Sequence, residues 1–258
     1  MKLSVAGKRV MITAAASGIG RTVAKTFIEN DALVFICDIS KERLAQCQAE
    51  MPGIEGITAD VSDPDQVDLF FEEAISFLGG LDVLVNNAGI AGPSEPVEKM
   101  SPKEWDRTIA VNLNSQFYCV RRSVPLLRES GGGSIINMSS HAGLFGYPYR
   151  TPYASSKWAI IGFTKTLAME LGEYKIRVNA ICPGSVDGPR MDAIIEHDAR
   201  VENVAADVVR DKYLRQTSLR TFINSQEIAD MILYLCSDSG QSISGQALAV
   251  DGHTETLR

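Results

Sequence analysis

Three polar side chains between positions 140 and 157 have the types and the spacing that proton transfer requires. Ser140 supplies a hydroxyl, and Tyr153 and Lys157 place a phenol and an amine four residues apart. If this stretch is helical, positions i and i+4 share one face, so the phenol and the ammonium lie side by side. An ammonium beside a phenol favours the phenolate, which allows proton exchange near neutrality. The same spacing also occurs on solvated helix faces, so a catalytic interpretation needs a cofactor site nearby.

A candidate phosphate-binding loop lies near the start of the chain. The apolar run 8–13 predicts a buried strand, and small residues separate it from a helical pattern that begins near Ile19. Free N–H groups at the start of such a helix point at an anion. Gly18 and Gly20 would let the backbone approach the pyrophosphate of a dinucleotide.

An acidic residue follows the next predicted strand. Asp38 comes directly after the apolar run 32–37, about 20 residues beyond the glycines, where a carboxylate binds the adenosine ribose in dinucleotide folds. Such a carboxylate repels the 2′-phosphate of NADP, and neither Ser17 nor Ile39 offers a compensating cation, although Lys41 is close. Asp38 could instead cap the helix that follows it. We adopt the ribose contact, which predicts NAD as the cofactor.

Apolar runs of strand length alternate with helical patterns along the whole chain. Strands are predicted at 8–13, 32–37, 54–59, 81–86, 133–139, 175–182 and 246–250. The pattern predicts one α/β domain over 1–258, a doubly wound, Rossmann-like parallel sheet of about seven strands with helices on both faces. A polar segment at about 185–219 leaves this alternation and predicts a substrate lid.

Asparagines occupy two further positions of interest. Asn86 and Asn87 end the fourth predicted strand, where they either tie neighbouring loops together or contact the cofactor. Asn112 lies inside a helix predicted from Ser101 through Leu127. A mid-helix asparagine costs helix propensity, so we expect Asn112 to be hydrogen-bonded or functional.

Bulk composition excludes several classes of protein. The chain has 258 residues, of which 45% are hydrophobic, and a net charge of −7 at pH 7. An acidic chain without runs of like charge is expected to bind neither nucleic acid nor an anionic membrane. No apolar run is long enough to span a membrane, and no apolar signal core precedes Lys8. Five cysteines without a C-x-x-C pair predict reduced thiols in a cytoplasmic protein, with neither disulfides nor a metal site.

In their order and spacing, these motifs resemble those of the short-chain dehydrogenase/reductase family over nearly the whole chain. The family's T-G-x-x-x-G-x-G appears as T-A-A-A-S-G-I-G at 13–20, N-N-A-G spans 86–89, and P-G occupies 183–184. The helix asparagine and the Ser, Tyr-x-x-x-Lys set complete the pattern. The resemblance implies an NAD-dependent oxidoreductase whose cofactor is bound by Thr13, Ser17, Gly18, Ile19, Gly20, Asp38, Asp60, Val61, Asn87, Ala88, Gly89, Tyr153, Lys157, Pro183, Gly184 and Val186.

The family mechanism implies a role for four side chains of this sequence. Tyr153 would be the general acid/base, and Lys157 would assist it and bind the nicotinamide ribose. Ser140 would hold the substrate oxygen, and Asn112 would fix a water that links Lys157 to solvent. Hydride would pass between the substrate carbon and the nicotinamide. The family is usually tetrameric or dimeric, which implies a homo-oligomer.

The sequence departs from the family pattern at three positions. Ala14 replaces the first glycine of the phosphate loop, and alanine would strain the turn if the position requires a positive φ. Gly188 stands where family members often carry a threonine, so a hydroxyl contact is lost or supplied by Ser185. His253 replaces the last glycine of D-G-G near the end of the chain.

The residues expected to line the substrate pocket include two arginines. An arginine pair could bind a carboxylate, sulfonate or phosphate, or both could be ordinary surface residues. We expect a secondary alcohol or ketone that is small and polar, with an anionic compound as the open alternative. The expected substrate contacts are Ser140, His141, Tyr147, Arg150, Tyr153 and Arg190.

Two other functions share parts of this pattern. An NADPH-dependent 3-oxoacyl-carrier-protein reductase has the same catalytic motifs, and Arg121 and Arg122 could contact a carrier protein, but Asp38 disfavours NADPH. A dinucleotide-sensing or structural relative without activity need not keep the four catalytic residues together, as this chain does.

Overall fold

The computed structural model describes residues 4–257, which are organised around one parallel sheet. The strands pair in the order β3-β2-β1-β4-β5-β6-β7, and every pairing is parallel. This confirms the predicted doubly wound sheet, and each strand lies within two residues of its predicted bounds. The strands are β1 Arg9–Thr13, β2 Leu33–Asp38, β3 Ile54–Thr58, β4 Val83–Asn86, β5 Gly133–Met138, β6 Ile176–Pro183 and β7 Ala247–Val250.

Helices connect successive strands and cover the sheet. Among residues 4–257, none of them combines the length and the apolar character that a membrane span requires. The α-helices are α1 Gly18–Glu29, α2 Lys41–Glu50, α3 Pro64–Leu78, α4 Pro102–Ile109, α5 Ser115–Glu129, α6 Thr151–Leu171, α7 Pro189–Glu202, α8 Ala206–Arg215 and α9 Ser225–Cys236.

Two hydrophobic cores lie on opposite faces of the sheet. Successive strand residues point to opposite faces, so Val10 and Ile12 of β1 pack with α1, α2 and α9, whereas Met11 packs with α3, α5 and α6. Phe27 fills the first core and Phe70 the second, and both are fully buried. Because both faces are covered, the strands are nearly continuous apolar runs.

The strand order reverses between β1 and β4. From β1 the chain builds outward through β2 and β3, and from β4 it builds outward on the other side. The loops at the carboxyl ends of these two strands therefore diverge and leave a crevice, which is where doubly wound sheets bind ligands. The predicted phosphate loop follows β1, and Asn87 follows β4 at the same edge.

The helix predicted from Ser101 through Leu127 is interrupted, contrary to expectation. A π-helical turn, Ala110–Asn114, separates α4 from α5, and it contains Asn112. A π turn inserts an extra residue and locally displaces the backbone, so it changes which side chains face inward. The Asn112 side chain makes inward hydrogen bonds from this turn.

The polar segment at about 185–219 forms two helices that pack on each other. Met191, Ile195 and Ala199 of α7 and Val209 of α8 make a small apolar cluster separate from the two sheet cores. The segment adds no strand to the sheet, although isolated bridges join Val186 to Ile223 and Thr217 to Thr254. Its two helices pack on each other, and its last residues bond to the chain that follows β7.

All five cysteines are free and buried. Burial raises the pKa of Cys37 to about 12 and the pKa values of Cys182 and Cys236 to about 11. These thiols stay protonated near neutrality and act as small apolar core residues.

Candidate active site

The helix predicted for the phenol and the amine is present as α6, which begins at Thr151. Tyr153 and Lys157 lie one turn apart on it, with Lys157 Nζ 5.6 Å from the centre of the Tyr153 ring. Ser140 lies beyond the end of β5, is 5% exposed, and its Oγ accepts a hydrogen bond from Ala142 N at 3.1 Å. The hydroxyl proton of Ser140 is therefore available to a substrate oxygen.

Lys157 is buried, with only 3% of its surface exposed. Its Nζ donates to Met138 O at 2.8 Å, and its own carbonyl oxygen accepts from Ser139 Oγ at 2.8 Å. Burial, and to a lesser extent the charge of Arg190, lowers the pKa of Lys157 to about 7. An amine with this pKa can gain or lose a proton near neutrality.

Asn112 is fully buried and hydrogen-bonded, as expected. Its Oδ1 accepts from Ile90 N at 2.8 Å, and its Nδ2 donates to Ile90 O at 3.0 Å and to Ser156 Oγ at 3.1 Å. A Cβ built on Gly89 would lie 3.4 Å from both Asn112 Oδ1 and Lys157 Nζ. The asparagine and the lysine therefore face one small space beside the loop that follows β4.

The phosphate loop leaves the start of α1 open to an anion. Ser17 is the N-cap of α1, but its side chain makes no cap hydrogen bond, and the first turn carries no acidic residue. The first N–H groups and the helix dipole therefore remain uncompensated by the chain, which fits a bound pyrophosphate. Only glycine fits at position 20, because a Cβ there would lie 2.4 Å from Asn87 Nδ2 and 2.6 Å from Ala14 O.

The two asparagines after β4 have different surroundings. Asn86 donates to Asn137 Oδ1 at 2.9 Å inside the sheet. Asn87 Nδ2 donates to Thr13 O at 3.0 Å, and Thr13 Oγ1 accepts from the backbone N–H groups of Asn87 and Ala88, both at 3.0 Å. These bonds tie the loop after β4 to the phosphate loop.

The structure explains the three departures from the family pattern in terms of backbone geometry. Ala14 has φ 51° and His253 has φ 60°, so both non-glycine residues adopt the left-handed conformation that glycine accepts most readily. His253 Nδ1 lies 2.6 Å from Ser218 Oγ. Gly188 has φ 134°, a conformation that a threonine would adopt only with strain.

Replacing Ala14 by glycine is expected to raise the free energy of unfolding by about 0.5–1 kcal/mol, because relief of the left-handed strain exceeds the added chain entropy. The melting temperature should rise by about 1–4 °C. Ala45→Gly is the control, since Ala45 is exposed inside α2, where glycine lowers stability. A calorimetric melt in which Ala14→Gly lowers the melting temperature, as Ala45→Gly should, would contradict the strain.

Asp38 ends β2 and is 5% exposed. Its Oδ2 accepts from Ala16 N in the phosphate loop at 3.1 Å, and its Oδ1 accepts from Ser40 N at 3.0 Å. The alternative that Asp38 caps the following helix is wrong, because Ser40 is the N-cap of α2. The next residue, Ile39, is 62% exposed, so an apolar side chain stands beside the carboxylate.

Asp60 and Val61 follow β3 at the same edge of the sheet. Burial alone would raise the pKa of Asp60, but hydrogen bonds from Ser62 and Arg107 outweigh it and lower the pKa. Arg107 Nη2 lies 3.1 Å from Asp60 Oδ2. The Val61 side chain is buried, so a contact between Val61 and a ligand would involve its backbone.

The segment after β6 passes close to the end of β7. Pro183 is the last residue of β6, and a Cβ on Gly184 would lie 2.8 Å from Asp251 Cα, so only glycine fits there. Val186 follows and bridges to Ile223. The close approach of Gly184 to Asp251 fixes the point at which the chain leaves β6 toward α7.

The predicted substrate residues have unequal surroundings. His141 is neutral near pH 7, because burial lowers its pKa to about 4. Arg150 is half-buried and donates to Gly92 O at 3.2 Å. Arg190 is exposed on α7, and its charge acts on Lys157. Of the two arginines, Arg190 is the one whose charge acts on Lys157, and within residues 4–257 its side chain makes no hydrogen bond or ion pair.

The structure adds two polar side chains that the sequence did not single out. Tyr213 OH of α8 donates to Asp198 Oδ2 of α7 at 2.8 Å. Tyr213 also lies against Tyr147, whose pKa is raised mainly by burial and, more weakly, by Tyr153 and Asp198. Polar groups thus lead from Tyr153 through Tyr147 to Tyr213 and Asp198 on α8 and α7. No local spacing marks these partners, since Asp198 and Tyr213 lie on different helices.

Comparison with known proteins agrees with the geometry. A family model described as enoyl-(acyl carrier protein) reductase matches residues 13–253. A 3-oxoacyl-(acyl-carrier-protein) reductase of Thermotoga maritima is 38% identical over 250 residues, which cover 95% of this chain and 97% of that protein. A D-beta-hydroxybutyrate dehydrogenase of Rhizobium meliloti is 32% identical over 252 residues, with 95% of this chain and 97% of that protein covered.

Solved structures show the same fold over the whole sheet. A variant of actinorhodin polyketide ketoreductase, crystallised with NADPH, superimposes with a TM-score of 0.91 at 29% identity, covering 95% of this chain and 96% of that one. Levodione reductase gives a TM-score of 0.90 at 27% identity, covering 96% and 97%. The chain belongs to the short-chain dehydrogenase/reductase family of nicotinamide-dependent oxidoreductases.

Proposed function

We propose that the protein is an NAD-dependent oxidoreductase that interconverts a secondary alcohol and its ketone. The observation that carries the preference for NAD is the Asp38 carboxylate beside the phosphate loop, with Ile39 where a cation would be needed to bind a 2′-phosphate. Like-charge contacts of this kind cost several kcal/mol. The test compares kcat/KM for NAD⁺ and NADP⁺, and we expect a ratio of about 100 or more in favour of NAD⁺.

The cofactor would be held by the edge of the sheet described above. The start of α1 would bind the pyrophosphate, Asp38 the adenosine ribose, and Lys157 the nicotinamide ribose. When bound, the nicotinamide supplies the hydride acceptor or donor. The remaining contacts are those implied for Thr13, Asp60, Val61, Asn87, Ala88, Gly89, Pro183, Gly184 and Val186.

Proton transfer is the chemistry of the side chains themselves. Tyr153 takes the hydroxyl proton in oxidation and returns it in reduction, while Ser140 donates a hydrogen bond to the same substrate oxygen. Lys157, whose pKa is about 7, passes the proton onward. Asn112 and Lys157 border one small space, which suits a water that carries the proton to solvent.

The substrate is expected to be small and polar, and Arg190 favours an anionic group. α7 and α8 would act as the lid, since they pack mainly on each other and Tyr213 reaches back to Tyr147. His141 would contribute a neutral ring. The domain is a single unit over 1–258 in this proposal.

Replacing Arg190 by alanine is expected to raise KM for an anionic substrate about tenfold and to leave KM for a neutral one unchanged, because one charge-assisted hydrogen bond is lost. Arg150→Ala should have a smaller effect, since Arg150 already donates to Gly92 O. Initial-rate kinetics with matched anionic and neutral alcohols measure both.

Arg215→Ala is the control for these arginines. Arg215 lies on α8, is 75% exposed and pairs with Asp211 in its own helix. If neither Arg150→Ala nor Arg190→Ala changes KM for the anionic compounds more than Arg215→Ala does, the anion site is refuted and a neutral substrate remains.

The second candidate is an NADPH-dependent 3-oxoacyl-carrier-protein reductase, which is supported by several relatives that are 3-oxoacyl-(acyl-carrier-protein) reductases. Arg121 and Arg122 are accessible on α5, although both lie within 3.6 Å of Asp68. Reduction of a 3-oxoacyl thioester on a carrier protein, with NADPH preferred over NADH, would establish this candidate over the first.

A homo-oligomer, dimeric or tetrameric, is part of the proposal. Large apolar side chains are exposed on α5 and α6, namely Phe117, Trp158 and Met169, the last being 86% exposed. Such residues on two neighbouring long helices suit an interface between copies. Light scattering at micromolar concentration tests it, and a monomer would refute it.

A further inference from the structure

Gln116 is a buried polar side chain that contacts the same carbonyl as Lys157. The proposed function gives Gln116 no role. It lies four residues after Asn112, in the first turn of α5, and is 1% exposed. Its Nε2 donates to Met138 O at 3.4 Å, and Lys157 Nζ donates to the same oxygen at 2.8 Å. The amide and the lysine therefore share one acceptor, whose two lone pairs accommodate both donors.

The other end of the Gln116 amide faces away from this carbonyl. Because a carbonyl oxygen accepts and never donates, the amide nitrogen must point at Met138, and Oε1 must point elsewhere. No atom of residues 4–257 is placed to donate to Oε1, which is buried. A methionine would fill the same space without an unpaired oxygen, so glutamine is unfavourable here unless Oε1 gains a partner.

Lys157 is a group able to provide that partner, because its Nζ donates to the same carbonyl oxygen as Gln116 Nε2. An ammonium has three donors, and a single acceptor is seen for Nζ, at Met138 O. Nζ lies 5.6 Å from the centre of the Tyr153 ring, so a closer approach to the phenol would draw Nζ away from that carbonyl. Gln116 Nε2 would then be the side-chain donor that remains at Met138 O.

We propose that Gln116 is a positioning residue that allows Lys157 to turn from Met138 toward Tyr153. As Nζ leaves, Nε2 remains as the donor to Met138 O, and Oε1 accepts a hydrogen bond from the ammonium, directly or through one water. Both ends of the amide thus favour the ammonium beside the phenol. The inference rests on the proposed function, because it concerns proton exchange at the same site.

Other ionisable groups act on this pair and must be held constant. Arg190 of α7 and Cys182 of β6 act on Lys157, and Tyr147 lies near Tyr153. Cys182 stays protonated near neutrality, because burial raises its pKa to about 11. A substitution at position 116 changes none of these groups.

The test is Gln116→Met, which removes both polar atoms at nearly constant volume. In alcohol oxidation, the pH of half-maximal kcat is expected to rise by about one unit, so kcat falls about tenfold at pH 7 and recovers at high pH. The melting temperature should not fall. A readout without turnover is the pH titration of tyrosinate absorbance in the cofactor-free protein. The signal of Tyr153 is the difference between Gln116→Met and Gln116→Met/Tyr153→Phe. Its midpoint should lie at a higher pH than the midpoint of the same difference between the wild type and Tyr153→Phe.

Two controls separate positioning from packing. Ser134→Ala removes another buried, unpaired side-chain oxygen, on β5, and should leave both midpoints unchanged. In a Lys157→Met background, Gln116→Met should no longer move the tyrosinate midpoint, because the coupled partner is gone. Unchanged midpoints in Gln116→Met, or a shift that persists without Lys157, would overturn the inference. If the wild type turned over no alcohol or ketone, the proposed function would fail, whereas the tyrosinate titration would still decide the role of Gln116.

Discussion

Replacing Tyr153 by phenylalanine is expected to lower kcat by about 1000-fold while changing cofactor affinity by no more than about threefold, because general acid–base catalysis contributes 100- to 10000-fold. The phenylalanine ring keeps the packing on α6 and removes only the hydroxyl that exchanges the proton. Lys157 retains its bond to Met138 O, so the site should stay folded. Steady-state kinetics and NADH fluorescence titration measure the two quantities separately.

Tyr234→Phe is the matched control for the loss of a phenol. Tyr234 lies on α9, away from the catalytic helix, and should keep full activity. If Tyr153→Phe retained more than about a tenth of the wild-type kcat, another group would have to transfer the proton. If the wild type itself bound the cofactor but had no turnover, the non-enzymatic relative would be the better interpretation.

Combining Asp38→Asn with Ile39→Arg is expected to invert the cofactor preference. The asparagine removes the negative charge but keeps one acceptor for the N–H groups of Ala16 and Ser40. The arginine places a cation at an exposed position where it can bind a 2′-phosphate. The ratio of kcat/KM for NAD⁺ to that for NADP⁺ should fall by about 1000-fold, since repulsion is removed and an ion pair is added.

The two single variants separate the contribution of the lost repulsion from that of the added ion pair. Ile39→Arg alone should improve NADP⁺ less than the double variant, because Asp38 still repels the phosphate. Asp38→Asn alone should mainly weaken NAD⁺, by loss of the ribose contact. A wild type that uses NADP⁺ as well as NAD⁺ would contradict the role of Asp38 and favour the carrier-protein reductase.

The sheet was predictable because each signal is local in sequence. The run 8–13 is apolar since β1 is covered on both faces, and predicted strands alternate with helical patterns along the chain. The pairing of Tyr153 with Lys157 needs only the helical repeat. The fold and the helix of the catalytic pair could therefore be inferred from the residues alone.

Long-range packing decides what the sequence could not reveal. The π turn at Ala110–Asn114 contains Asn112, whose side chain bonds to Ile90 in the loop after β4, a contact that helix propensity does not encode. The lowered pKa of Lys157 follows from burial, which depends on the whole fold. The contact of Tyr213 with Asp198 depends on how α7 and α8 pack, which periodicity does not specify.

The strain at Ala14 was partly predictable from the sequence and partly not. The sequence showed an alanine where the family pattern has glycine, so it could state the condition under which strain arises. Only the backbone angle, φ 51°, shows that the condition holds. His253 repeats the pattern with φ 60°, so two of the three departures keep the geometry of the glycine they replace.

The most direct measurement is NADH formation by the purified protein with NAD⁺ and a panel of secondary alcohols, half of them anionic and half neutral, with NADP⁺ in parallel. The proposal predicts turnover with NAD⁺ that exceeds turnover with NADP⁺ and is highest for anionic members of the panel. Turnover of neutral alcohols alone would keep the dehydrogenase and remove the role of Arg190. Turnover confined to NADP⁺, or none with either cofactor across alcohols and ketones, would contradict the central claim.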